Sequence, residues 1–129
     1  MGVNGLGDVY TAQCEKCGYQ KQLFLGSGRM DCVPSYFIPT LKKKQVGKLN
    51  NAMKKGADRI VLERFASVCE KCGELFAQPV VTYYLKDNEY KLGGYCPKCS
   101  SAKSVIVNNK APCPECKAEI AFRQVGVWD

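Results

Sequence analysis

The chain has 129 residues, of which 46% are apolar, and it carries a formal net charge of +7. Nine of the apolar residues are cysteines, so the remaining apolar residues can form only a small hydrophobic core. We therefore expect bound metal ions to stabilise the fold. No apolar run is long enough to span a membrane, and the segment Met1–Tyr10 has no secretion signal. We therefore expect a cytoplasmic protein in a reducing compartment.

The predicted elements are short strands separated by Cys-x-x-Cys pairs. Aromatic and β-branched content is typical of strands in five segments, in chain order 20–25, 59–68, 80–85, 104–107 and 119–127. A hairpin is predicted about Asp87-Asn88 and another tight turn at Asn108-Asn109, because asparagine tolerates positive φ. The predicted fold class is a small, metal-bound, mostly β protein of short antiparallel strands, with one inserted amphipathic helix.

That helix is predicted over residues 36–56, with a start signal at Pro39-Thr40 and a stop signal at Gly56. At helical spacing one face is apolar, with Ile38, Leu41, Val46, Leu49, Ala52 and Met53. The opposite face carries Lys43, Lys44, Lys48, Lys54 and Lys55. We favour a solvated lysine face over a helix packed on the strands, and the main alternative is a phosphate-binding surface. Lysine rather than arginine indicates diffuse electrostatics rather than base reading.

Four Cys-x-x-Cys pairs dominate the sequence: Cys14/Cys17, Cys69/Cys72, Cys96/Cys99 and Cys113/Cys116. This spacing lets a tight turn aim both sulfurs at one point, and two such turns complete a tetrahedral shell of four thiolates. One pair is a weak signal that redox proteins share, whereas four predict two structural Zn²⁺ ions, with iron substitution as an alternative. Each tetrathiolate zinc site would lower the net charge by about 2, leaving about +3 from the formal +7.

The pairing of these knuckles stays open between sequential, nested and interleaved arrangements. Loop-closure entropy favours sequential over nested pairing by about 1 kcal/mol. Sequential pairing divides the chain into an N-terminal ribbon with the helical insertion, residues 1–79, and a hairpin with a C-terminal ribbon, residues 80–129. The hairpin predicted between the second and third knuckles favours nested pairing instead.

Several function classes are disfavoured. The chain has no histidine, two closed cysteine shells leave no open metal position, and no phosphate-binding loop motif occurs, so we predict neither catalysis nor a small-molecule substrate. A membrane-surface helix is disfavoured because aromatic anchors are absent from the apolar face. The favoured hypotheses are a nucleic-acid or ribonucleoprotein accessory that uses the lysines, and an adaptor whose hairpin edges or apolar helix face bind another protein. The expected partner is nucleic acid or an acidic protein surface. A thiol redox protein ranks third.

Two smaller features complete the predictions. Cys32, the ninth cysteine, is interpreted as a buried or idle thiol, with a reactive or substitute-ligand role as the alternative. Tyr83, Tyr84, Tyr90 and Tyr95 lie in the predicted hairpin region. They are interpreted as covering the apolar side of a ribbon rather than stacking on bases.

The stretches CEKCGYQKQLFLGSGRMDC, VCEKCGELFAQPVVTYY, GYCPKC and APCPEC, with the terminal VGVWD, carry a resemblance. The chain resembles the zinc-ribbon (rubredoxin-like) superfamily and, more narrowly, small uncharacterised bacterial proteins with four Cys-x-x-Cys knuckles. The resemblance implies zinc binding and a cytoplasmic location, and it implies no activity. Ser100 and Lys117 stand where the pattern has glycine after the knuckle, which predicts slightly looser ribbon geometry at these two turns.

Overall fold

The computed structural model describes residues 7–128. Nearly half of these residues form two antiparallel sheets of four strands each, and far fewer are helical, which confirms the mostly β class. The strands are β1 Gly7–Gln13, β2 Gln20–Leu25, β3 Asp58–Cys69, β4 Leu75–Leu85, β5 Asn88–Leu92, β6 Ser104–Ile106, β7 Lys110–Pro112 and β8 Glu119–Trp128. Residues 1–6, which form most of the segment used to predict the absence of a secretion signal, lie outside the described residues.

The first sheet joins the two ends of the chain, in the order β2-β1-β8-β7. β1 is one of the two inner strands. It pairs on one side with β2, from Asp8↔Leu25 to Gln13↔Gln20, and on the other side with β8. The sequence analysis did not identify β1. A shift in register after Val9 brings Thr11 and Ala12 both to buried positions, so the simple alternation of a half-buried strand is interrupted.

The second sheet has the order β5-β4-β3-β6. The long β3–β4 ladder runs down to Val68↔Leu75, directly beside the second knuckle. The predicted β4–β5 hairpin is confirmed, but its turn is Lys86-Asp87 rather than Asp87-Asn88, because Asn88 is the first residue of β5. Both turn residues have positive φ, 53° and 67°. This is the backbone that a two-residue hairpin turn requires.

The predicted turn at Asn108-Asn109 is not a tight hairpin. The flanking strands belong to different sheets, because β6 pairs with β3 and β7 pairs with β8. Among the described residues with positive φ, neither asparagine occurs. Backbone hydrogen bonds from Val107 N–H to Ala66 O and from Phe122 N–H to Asn109 O hold this crossing segment to both sheets. Asn108 and Asn109 therefore lie in a connection from the second sheet to the first, and not in a hairpin turn.

The predicted continuous helix over residues 36–56 is wrong in its first half. A four-residue helix α1, Pro34–Phe37, is followed by a 3₁₀ turn over residues 38–40, and the main helix α2 is Lys43–Lys54. Pro39 lacks the N–H for an α-helical bond, and Leu41 is extended with φ −86° and ψ 161°, so the helix begins only after it. The stop signal is confirmed, since Gly56 has a positive φ of 99°.

The amphipathic character of α2 is confirmed. Leu49 and Ala52 are buried in a cluster with Phe37 of α1 and with side chains of β3 and β4. Met53, which was predicted on the apolar face, is 40% exposed. Gln45 is buried instead and donates from Nε2 to the carbonyl oxygen of Gly93, so one polar side chain attaches the helix to the end of β5.

The two sheets share a buried apolar core, which includes Leu23 of the first sheet and Leu75 of the second.

Polar contacts also join the two sheets. Gly26 and Arg64 exchange two backbone hydrogen bonds of 2.8 and 2.9 Å, which tie the end of β2 to the middle of β3. The Arg64 guanidinium also pairs with the buried Asp31 carboxylate and lies over the Trp128 ring, 5.1 Å from its centroid. These contacts fix the strands that carry the cysteines relative to one another.

Candidate metal centres and the lysine surface

The eight knuckle cysteines form two groups of four that can each hold a metal ion. The outer centre consists of Cys14, Cys17, Cys113 and Cys116, and the inner centre consists of Cys69, Cys72, Cys96 and Cys99. Within each group the sulfur atoms all lie within 4.8 Å of one another.

This grouping is nested, so the favoured sequential pairing is wrong. Each of the predicted units, 1–79 and 80–129, contributes one knuckle to each centre, and β4 crosses their boundary. The physical reason is the β1–β8 ladder, which brings the first and last knuckles together. Its hydrogen bonds and buried side chains outweigh a loop-closure difference of about 1 kcal/mol.

All four knuckles have the same backbone turn. In each, the residue after the second cysteine donates its N–H to the carbonyl oxygen of the first, at 2.9 to 3.0 Å. That residue always has positive φ, 82° at Gly18, 81° at Gly73, 64° at Ser100 and 69° at Lys117. The looser geometry expected at Ser100 and Lys117 is therefore not seen. The turn imposes the left-handed conformation even where the side chain disfavours it.

The distances between sulfurs match metal ligation and exclude disulfides. Across knuckles, Cys14–Cys116 and Cys69–Cys99 are 3.5 Å apart, and Cys17–Cys113 is 3.6 Å. A disulfide requires about 2.05 Å between sulfurs. A tetrahedral ion with metal–sulfur bonds of about 2.3 Å places its ligands about 3.8 Å apart. The donor set therefore fits a tetrahedral, thiophilic metal ion with small adjustments of the side chains.

Local electrostatics favour the thiolate form at Cys69 in the inner centre and at Cys14 and Cys113 in the outer centre. Burial disfavours the charged form of Cys113, but hydrogen bonds from backbone N–H groups outweigh it and lower its pKa. Backbone N–H groups, led by that of Cys72, hold the pKa of Cys69 at about 6. The Glu74 N–H lowers the pKa of Cys72, but burial and the neighbouring thiols outweigh it and raise that pKa to about 12. The outer centre repeats this contrast, since the Cys17 N–H helps to bring the pKa of Cys14 to about 7. Four crowded thiols resist full ionisation, so a divalent cation is the natural counter-charge.

The two centres differ in exposure. In both, the first cysteine of each knuckle is buried. In the outer centre the second cysteines, Cys17 and Cys116, are exposed, whereas Cys72 and Cys99 of the inner centre are half-buried. Solvent and reagents therefore reach the outer centre more easily.

The five lysines predicted to contact phosphate are all exposed on α2 or at its end. The structure separates them, however. Lys44 and Lys48 line a cleft that they share with Lys91 of β5. Lys42, the residue before α2, lies over the Tyr95 ring at 4.1 Å from its centroid. Lys91 was missed because it is far from the helix in sequence, and a lysine in a strand has no distinguishing local signal.

The remaining candidate residues are Cys32 and the tyrosines of the hairpin region. Cys32 is exposed, and its sulfur lies 3.3 Å from the Arg29 carbonyl oxygen, so the interpretation as a buried thiol is wrong. Tyr83 is buried and its ring is stacked on that of Tyr90, with centroids 5.4 Å apart. Tyr84 donates its hydroxyl to Glu89. The tyrosines thus partly cover the sheet, as the favoured interpretation holds.

No helix within residues 7–128 has the length and apolar character needed to cross a membrane. Comparisons with family models, curated proteins and solved structures give no match for this chain. The two clusters of Cys-x-x-Cys pairs are consistent with a zinc-ribbon-like module, and membership of that superfamily stays a prediction.

Proposed function

We propose that both centres bind Zn²⁺ and that the ions are structural rather than catalytic. The observation that carries the proposal is the convergence of four sulfurs in each centre, with cross-knuckle distances of 3.5 to 3.6 Å. Four thiolates fill a tetrahedral shell and leave no open position for water or substrate. A redox-active dithiol is disfavoured for the same reason, because all eight knuckle sulfurs are engaged as ligands.

Elemental analysis and native mass spectrometry of protein isolated from cells test the metal proposal. We expect two zinc ions per chain, and iron in the same positions would preserve the ligand set while changing the metal. A chain that keeps its fold and carries no metal would refute the proposal. Thiolate ligation also requires reducing conditions, which supports a cytoplasmic location.

We further propose that this zinc-stabilised module binds nucleic acid through α2. The helix has the sequence KKQVGKLNNAMK, without an acidic residue, and its lysines are exposed. Because loaded zinc centres reduce the overall positive charge, attraction to phosphate depends on this local concentration of lysines. With about six phosphate contacts on a duplex, the log–log dependence of affinity on salt has a slope near −5.

Fluorescence anisotropy with labelled oligonucleotides measures this binding. With a duplex, reversing the charge of Lys43, Lys44, Lys54 and Lys55 together should abolish binding, whereas unchanged affinity would refute the proposal. Metal stoichiometry of the variant provides the folding control.

A second candidate, an adaptor that binds another protein, is favoured by one observation. β6 lies at the edge of the second sheet, and its Val105 and Ile106 side chains are both 50% exposed. An exposed edge strand can pair with a strand of another chain. The alternative docking surface, the apolar face of α2, is instead buried on the sheet. Val105→Lys with Ile106→Lys should abolish a nuclease-resistant complex, and a complex that survives the substitutions would exclude this edge.

A further inference from the structure

A cleft with a volume of about 270 Å³ lies between α2 and the segment from β5 to the third knuckle. One wall is formed by Lys44, Gln45 and Lys48 of the helix, and the other by residues 91–95 with Ala102. We call it the α2–β5 cleft. Its volume is slightly below the range of about 300–1,000 Å³ that is typical of small-molecule sites.

The floor of the cleft is held by hydrogen bonds and close packing. Gln45 donates to the Gly93 carbonyl oxygen from one wall to the other. The N–H of Gly94 donates to Gln78 Oε1 at 3.1 Å. A Cβ at Gly94 would lie 2.8 Å from Pro79 Cδ, so only glycine allows the backbone to pass this close to β4. The hydrogen bond from Gln45 to Gly93 therefore joins the two walls, and the Gly94 contacts hold the second wall against β4.

The charge of the cleft is entirely positive. Lys44 and Lys48 are four residues apart on α2, so both side chains project on one side of the helix. Lys91 faces them from β5, where its Nζ donates to Thr82 Oγ1 at 3.3 Å. The lining residues, all within the described range, include no aspartate or glutamate. Lys42, over the Tyr95 ring, adds a fourth positive charge at one end.

Helix geometry separates this set from the other lysines. At about 100° per residue, Lys44 and Lys48 are about 110° away from Lys43 and Lys54 around the helix axis. The side chains of both pairs are exposed, but only those of the first pair line the cleft. α2 therefore offers two lysine pairs of equal charge in different surroundings.

We propose that the α2–β5 cleft binds the phosphate backbone of a single-stranded nucleic acid, with Lys44, Lys48 and Lys91 as its phosphate contacts. The inference rests on the proposed nucleic-acid binding and specifies where and in which form it occurs. A cleft of this size admits the phosphates of one strand, whereas a duplex would instead contact the broader lysine face of α2. Single strands are commonly held by positively charged grooves that follow the backbone.

The matched helix variants test the placement. Lys44→Glu with Lys48→Glu changes the cleft, and Lys43→Glu with Lys54→Glu makes the same charge change on the same helix outside it. Anisotropy of a labelled oligouridine of about 12 nucleotides is measured between about 50 and 200 mM salt. The cleft variant should lose at least about tenfold in affinity, and its log–log salt slope should fall in magnitude by about 1.4, for two lost contacts. For this single-stranded probe the control should lose less than about threefold, because its two lysines belong to the broader face offered to a duplex and do not line the cleft.

The other wall provides an independent test. Lys91→Glu should weaken binding in the same direction, whereas Lys86→Glu, in the exposed β4–β5 turn, should not. Equal losses in the cleft and control variants would overturn the cleft and leave nucleic-acid binding intact. Tighter binding of a duplex than of the single strand would overturn the single-strand assignment. Failure of the unmodified protein to bind any oligonucleotide would overturn both the inference and the proposed function.

Discussion

The orientation of α2 decides which lysines face the cleft, and two substitutions on the same helix test that orientation. Leu49 is fully buried at 0% exposure, against Phe37, Leu62 and Val81, whereas Met53 one turn later is 40% exposed. Sequence periodicity placed both on one apolar face, so their difference depends on the tertiary structure. Leu49→Ala and Met53→Ala form a matched pair because both replace a good helix former by alanine.

The expected loss in the free energy of unfolding follows from how deeply each side chain is buried. Leu→Ala substitutions in cores cost about 2–5 kcal/mol, through lost transfer free energy and the cavity that remains. Leu49 is covered on all sides, and we expect Leu49→Ala to lower the free energy of unfolding by about 3 kcal/mol. Met53→Ala should cost less than about 1 kcal/mol, since much of the methionine stays in water. Helix propensity changes little in either variant.

Chemical denaturation with zinc in excess measures both variants, with the midpoint and the slope fitted separately. Excess metal keeps both centres loaded, so metal loss does not contribute to the difference. In thermal unfolding the Leu49 variant should melt about 10 °C lower. Equal costs for the two variants, or a larger cost at Met53, would refute the orientation of α2 and with it the assignment of Lys44 and Lys48 to the cleft.

Four other predictions follow from the described contacts. Removal of zinc by a strong chelator should unfold the chain, seen as loss of strand signal in circular dichroism, because a thin core depends on the metal; a retained spectrum would contradict this. Ser100→Gly should raise the free energy of unfolding by up to about 1 kcal/mol, because glycine adopts the φ of 64° at this position without strain. Gly18→Ala should lower it by about 1 kcal/mol, because φ is 82° there. Denaturant midpoints that move in the opposite directions would contradict the left-handed turn that the four knuckles have in common. Arg64→Met should lower the free energy of unfolding by about 3 kcal/mol, because it leaves the Asp31 carboxylate, 4% exposed, without its ion-pair partner. The double variant with Asp31→Asn should recover part of this loss. If the losses of the two single variants simply add, the two side chains are not coupled. Cys32 should be the first thiol alkylated in the zinc-loaded protein, since it is exposed and no part of either centre, and peptide mass mapping that finds it protected would refute its exposure.

The sequence by itself determined the chemistry of this protein. Four Cys-x-x-Cys pairs in a lean chain predict metal ligation from local spacing alone, because two intervening residues suffice to form the turn. β2 was predicted with its exact bounds, and the β4–β5 hairpin with its turn displaced by one residue, since both signals are local. The exposed lysine face of α2 was also predicted from helical periodicity. The end of the helix was predicted from the stop signal at Gly56.

Only the tertiary structure decided how these parts combine. The nested grouping of cysteines depends on β1, whose alternation is interrupted, and on its pairing with β8 more than a hundred residues later along the chain. The α2–β5 cleft likewise joins Lys44 and Lys48 to Lys91, a residue with no local signal. Pairing between distant strands depends on the sum of many burial and hydrogen-bond terms, each small and non-local. A loop-entropy difference of about 1 kcal/mol cannot decide among such arrangements.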